Sequence, residues 1–245
     1  MARKPQVIIA LDTNRLEEAE EMVKGFGDRV EFYKVGSILF TAAGPAAVRM
    51  VRAHGKQVFL DLKFHDIPNT VMGAVAGAAE LGVAMLTVHA SGGPEMMRAA
   101  LEGAGGKPVE GARGRMGAGG RAGGAGEARP WVIGVTLLTS LAAGEDVAGR
   151  VLALARDAAR AGLDGIVCSP LEVGPIRRAL GPDLLAVVPG IRLARDARGD
   201  QARVGTPGQA VKDGADFIVV GRSVTAAEDP GAALAAIRAE MQGSV

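Results

Sequence analysis

Two carboxylates, a lysine and a histidine lie close together in FLDLKFHDIPNTV, residues 59–71. The stretch begins with apolar residues typical of a buried strand, where charge is costly unless it is paired, bound or used. Asp61 and Lys63 are two residues apart, so in a strand their side chains point to the same face. The spacing predicts a pair of opposite charges directed into the interior of a sheet or barrel.

The neighbours of Lys63 indicate which chemistry it could perform. A lysine that forms a Schiff base is usually activated by burial or by a second cation. Lys63 instead has Asp61 and Asp66 close by in the chain, and opposite charges favour the ammonium form. The pattern favours a proton donor over a nucleophile. A purely structural ion-pair cluster is the alternative, although buried pairs seldom add net stability.

Eight short apolar segments recur along the chain. They are rich in Val, Ile and Leu rather than strictly alternating, which is typical of parallel strands buried on both faces. The predicted strands are 6–12, 31–36, 57–63, 85–90, 131–138, 164–170, 184–191 and 216–222.

Alanine-rich segments with helical spacing separate these strands. Pro68 and Pro230 fall where a first helical turn would start, and Gly82 and Gly162 fall where a helix would end. Eight strand–helix units predict a parallel, closed (β/α)8 TIM barrel in one domain, residues 1–245, and a doubly wound open sheet is the alternative. The predicted helices are 15–26, 46–53, 71–81, 147–161 and 231–241.

Polar residues lie at the carboxyl-terminal ends of the predicted strands. In a (β/α)8 barrel, these strand ends surround the active site. Asp12 and Lys34 belong to the first and second strands, so we expect them beside Asp61 and Lys63 in the barrel mouth.

The loops after the seventh and eighth strands are the usual phosphate site of such barrels. Gly221 lets the backbone approach a ligand closely, and Arg222 can donate two parallel hydrogen bonds to a phosphate. Arg192 and Gln201 lie on the seventh loop and could close over the ligand. Three further arginines of this region are expected on the surface: Arg195, Arg198 and Arg203.

Two histidines raise the possibility of a metal site. His89 with Asp61 or Asp66 could bind a divalent ion, but the sequence has no HxH, HxxxH or cysteine cluster to support it. We therefore expect no catalytic metal, and we expect His65 to be a loop residue.

Residues 103–126 contain eleven glycines and five alanines. The composition predicts a mobile surface loop, extending to about residue 129, between the fourth helix and the fifth strand. Its four basic residues outnumber Glu110, so a nucleic-acid-binding loop is an alternative. Because no aromatic residue is available to stack on bases, we expect no nucleic-acid partner.

The overall composition is that of a soluble globular protein, with 48% hydrophobic and 22% charged residues. The formal charge of +1 does not favour a protein that coats polyanions. No stretch of about 18 apolar residues predicts a membrane helix, and the N-terminal residues do not resemble a signal peptide. A single cysteine, Cys168, excludes an intrachain disulfide and suits a reducing compartment, so we expect a cytoplasmic protein.

Taken together, the motifs of the chain resemble the bacterial type of the orotidine 5′-phosphate decarboxylase family over essentially its whole length. The D-x-K-x-x-D core alone is shared with sister enzymes that act on sugar phosphates with Mg²⁺, and these are the nearest alternative. A catalytically inactive barrel that only binds nucleotides is a further one. The motifs are ALD (10–12), YKVG (33–36), FLDLKFHDIPNT (59–70), VHASGG (88–93), VTLLTS (135–140), PGIR (189–192), DQARVGTP (200–207) and IVVGRS (218–223).

The resemblance implies decarboxylation of orotidine 5′-monophosphate to UMP, without any cofactor, in de novo pyrimidine synthesis. It implies that Lys63 donates a proton to C6 of the pyrimidine. It also implies a homodimer in which Asp66 and Thr70 reach the partner's active site. The implied charged catalytic tetrad is Lys34, Asp61, Lys63 and Asp66.

The same resemblance assigns the contacts with the substrate. Asp12 and Lys34 would hold the ribose hydroxyls, and Thr139 would contact the base. The phosphate would be held by four residues, of which Gln201 could also reach the base: Arg192, Gln201, Gly221 and Arg222. The implied substrate-binding set also includes Asp61, Ile67 and Thr70.

Overall fold

The protein forms a closed barrel of eight parallel strands, in a computed structural model that describes residues 4–105, 129–140, 145–193 and 203–243. Each strand pairs with the next one in the sequence, and β1 pairs with β8 to close the ring. The predicted (β/α)8 barrel is confirmed, and the open sheet is wrong. The strands are β1 (Gln6–Ala10), β2 (Phe32–Gly36), β3 (Gln57–Phe64), β4 (Met85–His89), β5 (Trp131–Val135), β6 (Gly165–Val167), β7 (Leu185–Val188) and β8 (Phe217–Val220).

Helices surround the barrel, and the five predicted ones are present with ends that differ by at most three residues. Pro68 and Pro230 each begin a helix, because a missing N–H costs nothing in the first turn. The helices are α1 (Leu16–Phe26), α2 (Ser37–Ala43), α3 (Pro45–Ala53), α4 (Pro68–Glu80), α5 (Gly93–Gly103), α6 (Glu145–Ala161), α7 (Val173–Leu180), α8 (Pro207–Lys212), α9 (Arg222–Thr225) and α10 (Pro230–Gln242).

Alternation along the strands separates two apolar layers. One lies between the strands and the helices, and the other fills the barrel with side chains such as Ile8, Phe32 and Phe59. The ring of Phe32 meets that of Phe217 edge-on at 5.4 Å between centroids. Because side chains repeat every two residues, the inward positions that follow Ala10, Phe32 and Phe59 belong to Asp12, Lys34 and Asp61.

Buried arginine–aspartate pairs lie at the amino ends of the strands. Arg129 donates two hydrogen bonds to Asp164, at 2.6 and 2.9 Å, and the same carboxylate accepts the N–H of Val132. A similar pair lies beneath β7 and β8, where Arg177 donates to Asp216 at 2.6 Å and the same carboxylate accepts the N–H of Ala186 at 2.9 Å. These pairs link the amino ends of neighbouring strands, opposite the end where the polar residues gather.

The predicted loop at 103–129 lies almost entirely outside the described residues, which stop at residue 105 and resume at Arg129. Over the described parts of the chain, no helix has the length and apolar character needed to cross a membrane.

Candidate active site

An irregularity in β3 places the central charged residues. Leu60 pairs with Leu86 of β4, but the next pair is Phe64 with Val88, so four residues of β3 advance against two of β4. We call residues 61–63 the β3 bulge. Lys63 within it has φ +54°, the left-handed conformation, and no other non-glycine residue among those described has a positive φ. Such a conformation is costly, and bulges beside active sites re-aim side chains.

The β3 bulge brings Asp61 and Lys63 into direct contact. Nζ of Lys63 lies 2.9 Å from each carboxylate oxygen of Asp61. On the neighbouring strands, Nζ of Lys34 lies 2.8 Å from Oδ1 of Asp12 and 3.9 Å from Oδ2 of Asp61. The four charges therefore alternate in sign around one side of the barrel mouth, which offsets the cost of their burial.

The charged side chains of this cluster differ in their exposure to solvent. The side chains of Lys34 and Asp61 are each 13% exposed, whereas that of Lys63 is 33% exposed. The two inner charges are thus largely shielded from water, while the ammonium of Lys63 is open to a bound molecule. Interactions with a developing charge are stronger in such a partly desolvated site than in water.

Thr87 of β4 completes the cluster, and sequence reasoning missed it. Its hydroxyl donates to Oδ1 of Asp61 at 3.0 Å and accepts the main-chain N–H of Lys63 at 2.8 Å. The residue is fully buried. Alternation from Met85, which points into the barrel, would have placed Thr87 in the next inward layer.

A cavity of about 230 Å³ opens above these charges. Leu137 and Leu138 line it as an apolar wall, together with residues from the ends of the other strands. The cavity is therefore charged on one side and apolar on another, a combination that is usual for a small-molecule site. The sequence-predicted residues that line it are Asp12, Lys34, Asp61, Lys63, Thr139, Arg192, Gly221 and Arg222.

Arg192, Gly221 and Arg222 lie at the carboxyl ends of β7 and β8. Arg192 is held in place because its guanidinium donates to its neighbour's carbonyl at 3.1 Å and to Oγ of Ser223 at 3.3 Å. Gly221 immediately precedes the short helix α9. This end of the cavity supplies guanidinium groups and backbone N–H groups, the donors that suit a phosphate.

Three predicted site residues do not line the cavity of their own chain. Asp66, Ile67 and Thr70 lie on the exposed segment between β3 and the first turns of α4, and Ile67 is 67% exposed. Asp66 accepts the N–H of Ile67 at 2.7 Å. One chain thus brings together three of the four predicted tetrad residues. Gln201 lies outside the described residues.

Arg203 was predicted on the surface, and this is wrong. Its side chain is 1% exposed and forms an ion pair with Glu172, which lies in the loop before α7. It also donates to the carbonyls of Leu137 and Leu138, at 3.3 and 2.7 Å. Arg203 therefore fixes the segment that carries Thr139 and the apolar wall of the cavity.

His65 and His89 lie with their ring centroids 5.3 Å apart beside the cluster. Burial lowers the pKa of His89, and the positive charges of His65 and Lys63 lower it further. Among the described residues, no group of three or more His, Cys, Asp or Glu side chains could hold a metal ion.

The fold and the site define a class: a (β/α)8-barrel enzyme whose cavity has lysine–carboxylate pairs on one side and anion-binding donors at the ends of β7 and β8. The family model described as "Orotidine 5′-phosphate decarboxylase / HUMPS family" matches residues 5–237. The chain belongs to this family.

Similar proteins agree with this assignment. The chain is 49% identical to an orotidine 5′-phosphate decarboxylase of Anaeromyxobacter dehalogenans, over 98% of this chain and 99% of that protein. It is 44% identical to the orotidine 5′-phosphate decarboxylase of Moorella thermoacetica, over 99% of this chain and 94% of that protein. Among solved structures, the orotidine 5′-phosphate decarboxylase of Lactobacillus acidophilus superposes with a TM-score of 0.78 at 38% identity, covering 97% of this chain and 99% of the other.

Proposed function

We propose that this chain decarboxylates orotidine 5′-monophosphate to UMP and CO2 in de novo pyrimidine synthesis, with Lys63 as the proton donor. Family membership and the identity to named decarboxylases support the reaction. The observation that carries the mechanism is the ammonium of Lys63, held at 2.9 Å by both oxygens of Asp61 at the base of the cavity.

The proposed step is a loss of CO2 followed by proton transfer. The bond between C6 and the carboxylate carbon breaks, and its electron pair stays on C6. The ammonium of Lys63 stabilises this negative charge as it develops and then donates a proton to form the C6–H bond. The resulting amine recovers a proton from solvent. General acid catalysis alone contributes about 10²–10⁴-fold, so electrostatic stabilisation must supply much of the remainder.

The rest of the cavity would bind the nucleotide. Asp12 and Lys34 would contact the ribose hydroxyls, and Thr139 would contact the base. Arg192, Gly221 and Arg222 would hold the phosphate, together with Gln201. Binding energy from a phosphate remote from C6 can then be used to hold the base against Lys63.

Asp66, Ile67 and Thr70 would act in the active site of a partner subunit in a homodimer. Their exposure on one segment and their absence from the lining of their own cavity support this proposal. We expect the enzyme to work in the cytoplasm, where Cys168 would stay reduced.

The activity is tested by following the absorbance of orotidine 5′-monophosphate with purified protein, EDTA and no added cofactor. We expect turnover, and a loss of at least about 10³-fold in Lys63→Ala. The matched control is Lys24→Ala, because Lys24 pairs with Glu20 at 3.0 Å on the exposed face of α1. A wild-type activity that disappears in EDTA would mean that turnover depends on a metal ion. No turnover at all would favour a sugar-phosphate enzyme with another substrate or an inactive binding barrel.

The shared active site is tested by mixing two inactive variants, Lys63→Ala and Asp66→Ala, after co-refolding. If Asp66 acts in the partner's site, a mixed dimer contains one site with both wild-type residues. Random mixing would then restore about a quarter of the wild-type activity. If Asp66 acts in its own chain's site, every site is defective and mixing restores nothing.

A further inference from the structure

The β3 bulge leaves a gap in the ladder between β3 and β4, and a side chain fills it. Regular pairing is interrupted between Leu60 and Phe64. The N–H of Lys63 donates to the hydroxyl oxygen of Thr87 at 2.8 Å instead of to a strand carbonyl. A buried N–H without an acceptor is costly, so this contact supports the left-handed conformation of Lys63.

The same hydroxyl orients the carboxylate that holds the ammonium of Lys63. It donates its one hydrogen to Oδ1 of Asp61 at 3.0 Å, and that oxygen also accepts from Nζ of Lys63. Lys63 is thus restrained at both ends, its backbone by Thr87 directly and its ammonium through Asp61.

Thr87 is well suited to be the fixed point of this arrangement. It is fully buried, and its strand is in regular register with β5, where Thr87 pairs with Ile133. A β-branched side chain is also stiff about χ1. The position of the hydroxyl is therefore set by the barrel wall and not by the β3 bulge itself.

We infer that Thr87 is a positioning residue for the reaction: its hydroxyl holds the Lys63 backbone and the Asp61 carboxylate in register with C6 of the substrate. This inference rests on the proposed function. Because the proposed phosphate and ribose contacts belong to other strands, losing the hydroxyl should impair the chemical step and leave substrate binding nearly unchanged.

The test compares Thr87→Val, which keeps the shape and removes the hydroxyl, with Thr87→Ser, which keeps the hydroxyl. We expect Thr87→Val to lower kcat about 10²-fold with KM changed less than about threefold. We expect Thr87→Ser to stay within about threefold of wild type. The matched control is Thr136→Val, because Thr136 is also buried but donates only to the carbonyl of Val167, at 2.9 Å. It should remain close to wild type.

Three outcomes would overturn the inference: an unchanged kcat in Thr87→Val, an equal loss in Thr136→Val, or a rise in KM as large as the fall in kcat. If Thr87→Val does not fold, Thr87→Ser and Thr87→Ala replace it, since both lack the methyl group and differ only in the hydroxyl. The serine variant should then exceed the alanine variant at least about tenfold in kcat, and equal values would overturn the inference.

Amide hydrogen exchange at Lys63, followed by NMR, gives a measurement that is independent of catalysis. We expect slow exchange in the wild type and in Thr87→Ser, and exchange at least about tenfold faster in Thr87→Val. Equal rates would overturn the inference even if the wild type decarboxylates its substrate. Conversely, faster exchange in a protein with no decarboxylase activity would refute the proposed function and leave the contact with Thr87 established.

Discussion

Nζ of Lys63 is equidistant, at 2.9 Å, from the two carboxylate oxygens of Asp61. The residues lie in one strand and are separated by Leu62 alone, so their contact depends on the β3 bulge that interrupts the strand. A symmetrical contact of this kind fixes the direction of the ammonium as well as its charge. Asp61 therefore sets the direction in which the ammonium of Lys63 faces the cavity.

We expect Asp61→Asn to lower kcat/KM for orotidine 5′-monophosphate by about 10²–10³-fold, because an amide NH2 replaces one of the two acceptors facing the ammonium. Steady-state kinetics measure the effect. The matched control is Asp28→Asn, since the Asp28 side chain is fully exposed where it pairs with Lys56, outside the cavity.

A double-mutant cycle with Lys63→Met tests whether Asp61 acts through the lysine. If it does, adding Asp61→Asn to Lys63→Met costs much less than it does alone. Fully additive losses would mean that Asp61 acts independently of Lys63.

Removing Arg203 should destabilise the protein strongly. Arg203→Met leaves the carboxylate of Glu172 buried without its ionic partner, and breaking a buried pair from one side costs about 3–5 kcal/mol in the free energy of unfolding. Adding Glu172→Gln should recover most of this loss, because the amide oxygen can still accept the N–H of Ser169. Urea unfolding measures both values.

The control for this prediction is Arg178→Met, at an exposed position of α7, which should stay within about 0.5 kcal/mol of wild type. A small effect of Arg203→Met, comparable to that of the control, would contradict the prediction.

Cys168 should be unreactive until the protein unfolds. Its side chain is fully buried, and burial raises the pKa of the thiol to about 12. At pH 8 almost none of it is the reactive thiolate. We expect no reaction with the disulfide reagent DTNB in the native protein. In denaturant, we expect one thiol per chain to react. Rapid stoichiometric labelling without loss of native circular dichroism would contradict this.

Mild acidification should destabilise the protein through His89. Its pKa is lowered in the native state by burial first and by nearby positive charge second, with Asp61 opposing. As pH falls past about 6.5, the unfolded chain binds a proton at this histidine that the native protein does not bind. The free energy of unfolding should therefore decrease between pH 7.5 and 5.5.

We expect His89→Gln to flatten this pH dependence, as measured by urea unfolding at several pH values. His54→Gln is the control, because His54 lies outside the cavity beside Glu20. An equal slope in the wild type and His89→Gln would contradict the assignment.

Regular alternation allowed much of the site to be predicted from sequence. Asp12, Lys34 and Asp61 each lie two residues beyond an inward-facing apolar residue of their strand, so the period of two places them at the barrel mouth. Asp61 could be anticipated as a partner of Lys63 because the two residues are close in the chain, although the β3 bulge interrupts the alternation between them.

The features of the site that could not be predicted from sequence depend on contacts between distant segments. The β3 bulge carries no glycine to mark it, and the left-handed residue in it is a lysine, held by a threonine of the next strand. Arg203 was wrongly predicted on the surface. Its burial is stabilised by the ion pair with Glu172 and by carbonyls that follow β5, and the sequence around the arginine does not indicate these partners.

Closure of the ring by β1 and β8 has a consequence for synthesis of the protein on the ribosome. Asp12 follows the first strand made, whereas Gly221 and Arg222 follow the last. If the earlier strands pair before β8 is available, β1 lies at an unpaired edge, and such edges invite pairing with other chains. Pairing of β8 with β1 therefore removes this edge and brings the residues that follow the two strands together around the cavity in the same step.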